Sequence, residues 1–506
     1  MFVSPNMSLN DLLGDEYVDN IYKVKKIIDI NDDTQAGYEK VDFYAADKQR
    51  YHDSFIGYVG EKITDGFENN ISGATTDSFR HASHNDSAAV TGTGCYRIGE
   101  DGFVYLLGKS EHYHASLGHN FNGYKLLNKA RDLGISNAAH NNTRGYITRK
   151  LERELIKIIN DVEESAIDDV TASTDENILN RIINLSTGSL GVEAGIKMML
   201  ANFYQHDKSS AIVNNDKTPV FLVIGDYNGG LTANYHGTTI INQTFRGMWH
   251  DLYKKISDDN IYKVVSVNIN DTADFKEKIE RYNTGIYKTA GFIHEIILMN
   301  YGAIRLNKKY LHEVYALCKK YNTPIMVDEI QTCMWYKDMF LFKSYELNPD
   351  FVVIGKGFPG AEYAASKIIT NSKMDNLTQF GALVTNGQEE LASISYLVTM
   401  AFNKANEAII TDLGNYFNDR LSRDLSKYSI IKEVQGLGHC AGIHFYDIET
   451  AKSFAALFTN EKIDYALHLY KAYCPPAILF KPPIISSKVV LDYICAKIVN
   501  TVEEMV

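Results

Sequence analysis

Residues 323–360 read TPIMVDEIQTCMWYKDMFLFKSYELNPDFVVIGKGFPG. TPIMVDEI (323–330) and DFVVIG (350–355) are short, largely apolar runs that read as buried strands. Upstream, the same texture recurs in PVFLVIG (219–225), VVSVNI (264–269) and GFIHEIILM (291–299). Charged helical stretches such as KKYLHEVYALCKKY (308–321) lie between them. Strands alternating with helices predict βαβ units and a mostly parallel central sheet, an α/β fold. LGVEAGIKMMLANFY (190–204) and RKLERELIKIINDVEES (149–165) space apolar residues at helical intervals and predict two further helices. TGTGCYRIGEDGFVYLL, from Thr91, predicts a hairpin turning at Glu100-Asp101-Gly102. From about residue 395 the pattern changes to longer helices followed by alternating strands, a second and smaller α/β domain. The expected division is an N-terminal extension of unknown role (1–90), a segment contributing to the small domain (91–150), a large domain (151–394) and a C-terminal small domain (395–506).

The opening stretch also carries unusual chemistry. Functional residues in α/β sheets gather at the carboxyl ends of strands. Asp328 follows one apolar strand there, and Lys356, between Gly355 and Gly357, follows the next. A lysine desolvated by strand ends loses its proton readily and becomes a nucleophile toward a carbonyl. A carboxylate at the neighbouring strand end could keep a pyridine nitrogen protonated and so make its ring an electron sink. Taken singly, each residue also fits a plain strand-end loop charge. Gly355 to Gly360 has the G-x-G-x-x-G spacing of a dinucleotide loop, but Pro359 and AEYAASKIIT predict a turn into a strand rather than a helix start.

Composition narrows the classes. The 506 residues are 45% hydrophobic and 23% charged, the balance of a globular chain. The net charge of −12 with no basic cluster argues against a nucleic-acid partner. No apolar run approaches the roughly 18 residues of a membrane span, and no secretory leader is evident at the start. The six cysteines (95, 318, 333, 440, 474 and 495) are scattered without a CxxC pair, which reads as reduced thiols of a cytoplasmic protein, with no metal site.

Around Asp328 and Lys356 the chain resembles the class III aminotransferases, the ornithine, acetylornithine and GABA type that uses pyridoxal 5'-phosphate. The family pattern Asp-Glu-Val/Ile-Gln-Thr followed by Gly-Lys-Gly is met by residues 328–332 and 355–357. NLSTGSLGVEAGIKMM (184–199) resembles the family's Ser-Gly-Thr/Ser-Glu-Ala block, and YHGTT (235–239) its aromatic-His-Gly-Arg-Thr block. HEIILMNYGAIRL (294–306) resembles the strand that bears a family glutamate, and TNGQEELA (385–392) a block that donates a hydroxyl across a dimer. The likeness runs from about Thr91 to the C-terminus.

The resemblance implies an aminotransferase-like large domain, a small domain built from the C-terminal and part of the N-terminal segments, and a homodimer. It implies that Lys356 holds the cofactor as a Schiff base and then moves the substrate proton, with Asp328 on the ring nitrogen and Gln331 on the ring oxygen. Tyr235 and His236 would lie at the ring, Gly188 and Ser189 at the phosphate, and Thr385 at the partner subunit's phosphate. Glu295, Asn300 and Lys481 are the substrate-side candidates.

The pattern is also broken. Ornithine-type members place a carboxylate-binding arginine just ahead of a Pro-Pro pair; here AILFKPPIIS (477–486) puts Leu479 there, with Lys481 two residues on. Asn300 stands where those members keep a glutamate that pairs with that arginine. Cys333-Met334-Trp335-Tyr336-Lys337 replaces the family's Gly-Phe-Gly-Arg-Thr-Gly. A lysine point charge does not substitute freely for a bidentate arginine clamp. Arg97, Arg144, Arg149 and His119 are further candidate anion contacts, each more readily read as a surface salt-bridge residue. The leading expectation is amino transfer between an amine or amino acid and a keto acid or aldehyde. A racemase, epimerase, aminomutase or decarboxylase on the same scaffold stays open, as does a binding protein with a vestigial site.

Overall fold

The computed structural model describes residues 1–506 apart from 29–33, 68–72, 83–86, 111–113, 138–141, 206–212, 226–233, 379–380 and 470–474. Cys474 lies outside the described residues. Seven strands form the central sheet: β1 (Arg181–Leu185), β2 (Thr218–Ile224), β3 (Lys263–Val267), β4 (Tyr287–His294), β5 (Ile325–Asp328), β6 (Phe351–Ile354) and β7 (Ser366–Thr370). Their spatial order is β1-β7-β6-β5-β4-β2-β3. Every neighbouring pair is parallel except the two that involve β7. All residues of β2, β5, β6 and β7 are buried, which explains why these segments read as apolar runs rather than alternations.

Helix α1 (Gly188–Tyr204) lies against one face of this sheet. A Cβ at Gly195 would come within 2.6 Å of Met326 Sδ, and one at Gly191 within 2.6 Å of Val353 Cγ1. Those two glycines therefore let the helix backbone sit close on β5 and β6, which brings its N-terminus level with the strand ends. The helix expected over 149–165 runs Tyr146–Asn160 instead. It stops because Asp161 takes a left-handed conformation (φ 52°) and the Val162 N–H turns back to the Lys157 carbonyl. The apolar run 291–299 is likewise not one strand: β4 ends at His294, and Ile297–Leu298 pairs antiparallel with Ile304–Arg305. Glu295 sits in that break. No helix follows Gly360; the chain turns into β7 as the proline predicted.

Helix α2 (Glu390–Leu425) spans 36 residues and runs across the expected boundary at 394/395. Beyond it, Ile431–Leu437, Cys440–Phe445, Ala477–Phe480 and Ala466–His468 form a four-stranded sheet that is antiparallel throughout, with helices Ile448–Phe458 and Lys488–Met505. A three-stranded sheet over Ala89–Leu106, with the hairpin turn near residues 100–102, joins this C-terminal region. The join includes a buried bidentate pair: Arg97 Nε and Nη2 donate to Asp464 at 2.8 and 2.7 Å. Arg97 is therefore committed to holding the small domain together and is not a substrate contact.

The described part of residues 1–58 packs on the main core. Phe2, Leu9, Leu13, Val18 and Phe43 are buried in the same cluster as the strands of the central sheet. Buried amides secure the chain start: Gln49 exchanges two bonds with the Phe2 backbone at 2.9 Å, and Asn406 of α2 exchanges two with Val3 at 2.7 and 2.9 Å. Among the described residues no helix is long and apolar enough to cross a membrane.

Candidate active site

The carboxyl ends of β1, β5 and β6 open on a cavity of about 450 Å3. Its lining includes Asp328, Gln331, Lys356, Tyr235, His236 and the 186–189 turn. The stretch that decided the fold thus supplies three of these groups from two adjacent parallel strands.

Asp328 closes β5 and is 4% exposed. One carboxylate oxygen accepts the Ile330 N–H at 3.0 Å, and the other accepts His236 Nδ1 at 2.8 Å. Its position and rotamer are therefore held from two sides. Lys356 follows β6 with φ 45°, a left-handed backbone that turns the residue out of the strand line. Its Nζ donates to Gln331 Oε1 at 3.1 Å. Burial lowers the ammonium to about 8, against the opposing pull of Glu295 and Asp328. That lowering enlarges the share of free amine, the form in which a lysine is nucleophilic.

Gln331 is a bridge. Its Nε2 donates to Glu295 Oε1 at 2.9 Å while its Oε1 faces Lys356. Asn234 Nδ2 holds the other Glu295 oxygen at 2.6 Å. Glu295 is 1% exposed; burial and the Asp328 carboxylate raise it well above the ordinary carboxylate range.

At the opposite side of the cavity, α1 begins at Gly188 after Thr187, which makes no side-chain cap. The Ser189 hydroxyl accepts the Thr238 N–H at 3.1 Å, joining the turn to the 235–239 loop. Gly237 has φ +142°, and a Cβ there would meet Asn242 Nδ2 at 2.5 Å and Ser189 Cα at 2.9 Å. Only glycine lets these two segments approach so closely. First-turn N–H groups at an uncapped helix start form an anion cradle.

The cavity thus offers a buried carboxylate, a deprotonation-prone lysine and, at its other side, an anion cradle. His236 Nε2 is buried without a hydrogen-bond partner among the described residues, a polar atom in the lining still to be satisfied. A flat ring with a basic nitrogen, an aldehyde and a phosphate fits this donor and acceptor set.

The structure brings together Lys356, Asp328, Gln331, Tyr235, His236, Gly188 and Ser189. It does not place Thr385 there: that residue is exposed at the start of the Thr385–Gln388 turn and is not in the lining. Glu295 lies behind Gln331, Asn300 sits in the Met299–Tyr301 turn, and neither is in the cavity wall. Lys481 is fully buried (0% exposed) and also outside the wall. Arg144 pairs with Glu152 at 2.5 Å and Arg149 donates to the Arg144 carbonyl, so neither arginine reaches the site. The His119 N–H donates to the Gly94 carbonyl and its ring lies against Gly92, outside the lining. His114, Thr187 and Thr238 also line the cavity. Thr187 and Thr238 lie inside the matched blocks 184–199 and 235–239, whereas His114 carries no motif that would have singled it out.

The model of the family Aminotransferase class-III matches residues 80–502. The acetylornithine aminotransferase of Prochlorococcus marinus is 23% identical over 424 residues, covering 83% of this chain and 92% of that protein. The acetylornithine aminotransferase of Clostridium acetobutylicum is 27% identical over 273 residues, covering 52% of this chain but only 64% of that protein. Among solved structures, the ornithine aminotransferase of Toxoplasma gondii ME49 superposes with a TM-score of 0.65 at 17% identity, covering 84% of this chain and 92% of that one. A transaminase of the marine bacterium Virgibacillus gives a TM-score of 0.68 at 14% identity, covering 86% and 97%. At those identities the structural likeness establishes the fold.

Proposed function

The chain belongs to the class III aminotransferase family, and from that premise we propose that it is a pyridoxal-phosphate-dependent transaminase acting between an amine or amino acid and a keto acid or aldehyde. The observation that carries this reading is the shared cavity of Lys356, the His236–Asp328 pair and the uncapped start of α1.

Each residue's part follows from its surroundings. Lys356 would hold the cofactor covalently and, once displaced by the incoming amine, act as the base that takes and returns the proton at the adjacent carbon. Asp328 would hold the ring nitrogen in its protonated form. His236 keeps that carboxylate aimed, because its imidazole already occupies the second oxygen. Gln331 would orient the ring oxygen while buffering the charge between Lys356 and Glu295. Tyr235 would cover one face of the ring, and the N–H groups of Gly188 and Ser189 would take the phosphate. The cofactor itself supplies a conjugated ring that disperses the electron pair left by the departing proton. Thr385, exposed on this chain, suits a contact made to a second copy, so the working unit is a homodimer.

The test is spectroscopic. Purified chain saturated with pyridoxal 5'-phosphate should show a visible band that borohydride abolishes, leaving label on Lys356. L-ornithine, N-acetyl-L-ornithine, L-alanine and a simple primary amine are then offered singly without acceptor. A transaminase converts the band to the amine form with at least one donor; an isomerase or decarboxylase leaves the band in place. No band and no label would overturn the cofactor assignment itself.

A further inference from the structure

Two stretches that depart from the family pattern, 333–337 and 479–481, are far apart in sequence, yet they meet in the fold. Trp335 Nε1 donates to the Pro482 carbonyl at 3.3 Å, and the Lys481 ammonium lies 3.7 Å from the centroid of the Trp335 ring. The ammonium also donates to the backbone carbonyl of Gln331. Cation and ring are both buried, at 0% and 2% exposure. The Lys481 backbone is fixed in turn: its N–H donates to the Gly108 carbonyl at 2.7 Å, and Ser110 Oγ donates to its carbonyl at 2.9 Å. Leu479, at the arginine's place, is fully buried in the strand Ala477–Phe480. Neither stretch puts a guanidinium in the cavity lining.

We propose that Lys481 is a positioning residue: clasped by Trp335, it anchors the Gln331 peptide so that the Gln331 amide spans Lys356 and Glu295. The inference rests on the transaminase reading of the same site and replaces the idea that Lys481 takes the substrate's carboxylate. Three observations lead there. The ammonium ends on a main-chain oxygen rather than in the cavity. The ring covers it in a dry setting, where a cation–π contact is strongest. The peptide it holds is the one whose side chain touches the reactive amine. Lys481 also repels the Lys356 charge, and burial with that repulsion lowers Lys481 itself to about 8. Removing the Lys481 charge would therefore let Lys356 hold its proton to higher pH.

The experiment compares wild type with Lys481→Met, which keeps the apolar stem, and with Trp335→Phe, which keeps a ring. Turnover uses whichever of the four donors above converts the wild-type band. Lys481→Met is expected to lower kcat about tenfold, as loss of a charged hydrogen bond does. KM for the donor should stay within about twofold, as for an interaction that is not made to substrate. The pH midpoint of the visible band should move upward. Trp335→Phe should shift both readouts in the same direction by less. A rise in KM with kcat preserved would overturn the proposal in favour of substrate contact, and so would an unchanged kcat and midpoint in both variants. Thermal unfolding of the cofactor-free proteins identifies a variant that has lost its fold; if Lys481→Met has, Trp335→Phe alone decides, and no shift there overturns the proposal. A wild-type chain that shows no band and no label on Lys356 overturns the transaminase reading instead, so the two failures are distinct.

Discussion

The floor of the cavity and the packed layer behind it were built under different constraints. The floor, at the ends of β5 and β6, keeps Asp328, Gln331 and Lys356 in the family spacing and holds them with His236, Ile330 N–H and Glu295. The layer behind, at 333–337 and 479–481, keeps almost nothing of the family pattern and is packed around Trp335 and Lys481. The difference teaches that the groups at the strand ends are held in place while the layer that supports them can be rebuilt. Proton movement needs a few groups at fixed strand ends, whereas the packing behind them can change wherever a loop can be refilled.

Breaking the floor should have the largest effect. Lys356→Ala removes the base assigned to the proton transfer, so turnover should fall on the order of 10^4-fold in a steady-state assay, with the fold kept by circular dichroism. A residual rate near wild type would show that the floor is not where the chemistry occurs. Asp328→Asn keeps the shape but not the charge, and should cost on the order of 10^3-fold in kcat, since the ring nitrogen would lose its proton. A loss under about tenfold would detach Asp328 from that role. Thr385→Ala should raise the cofactor dissociation constant by roughly tenfold, the scale of one hydrogen bond to a charged group, measured by titration of the visible band. An unchanged constant would remove the contact between subunits.

The smallest effect separates the two faces of one strand end. Asp328 faces the cavity, but the next residue, Glu329, turns away and accepts from Phe342 N at 2.7 Å and from the Thr332 hydroxyl. Burial raises Glu329 to about 7 from its usual 4.5. Its folded pKa exceeds its unfolded one, so its contribution is favourable below about pH 4.5 and is lost as pH rises toward 7. Glu329→Gln should therefore gain on wild type between pH 5 and 8, by on the order of 1–3 kcal/mol. Parallel melting curves at the two ends of that range would argue that Glu329 is not held neutral.

The sequence located β2, β5 and β6 with ends one or two residues off, because a strand buried on both faces is a contiguous apolar run that needs no knowledge of its neighbours. It misplaced the end of the 146–160 helix, since a left-handed Asp161 leaves no mark in apolar periodicity. It gave no account of the N-terminal segment, where the polar Gln49 and His52 are buried on partners distant in the chain. In the site, Lys356 and Asp328 were legible at the strand ends and Gln331 and His236 through the family resemblance, whereas His114 was not. Its segment enters the cavity only because Ser116 Oγ donates to the Gly357 carbonyl at 2.5 Å and Ile484 N–H to the Ser116 carbonyl at 2.9 Å.

By itself, then, the sequence determined the parallel core, the lysine and the carboxylate at its strand ends, and the family to which they point. These are local matters: a residue's distance along the chain from a strand end is also its distance in space from the site. Only the tertiary structure decided what Lys481 touches, where Glu295 stands and how Trp335 is used. Those contacts cross separations such as the 150 residues between Lys481 and Gln331. Such contacts are set by how sheets and loops close on one another, which no local pattern of polarity encodes.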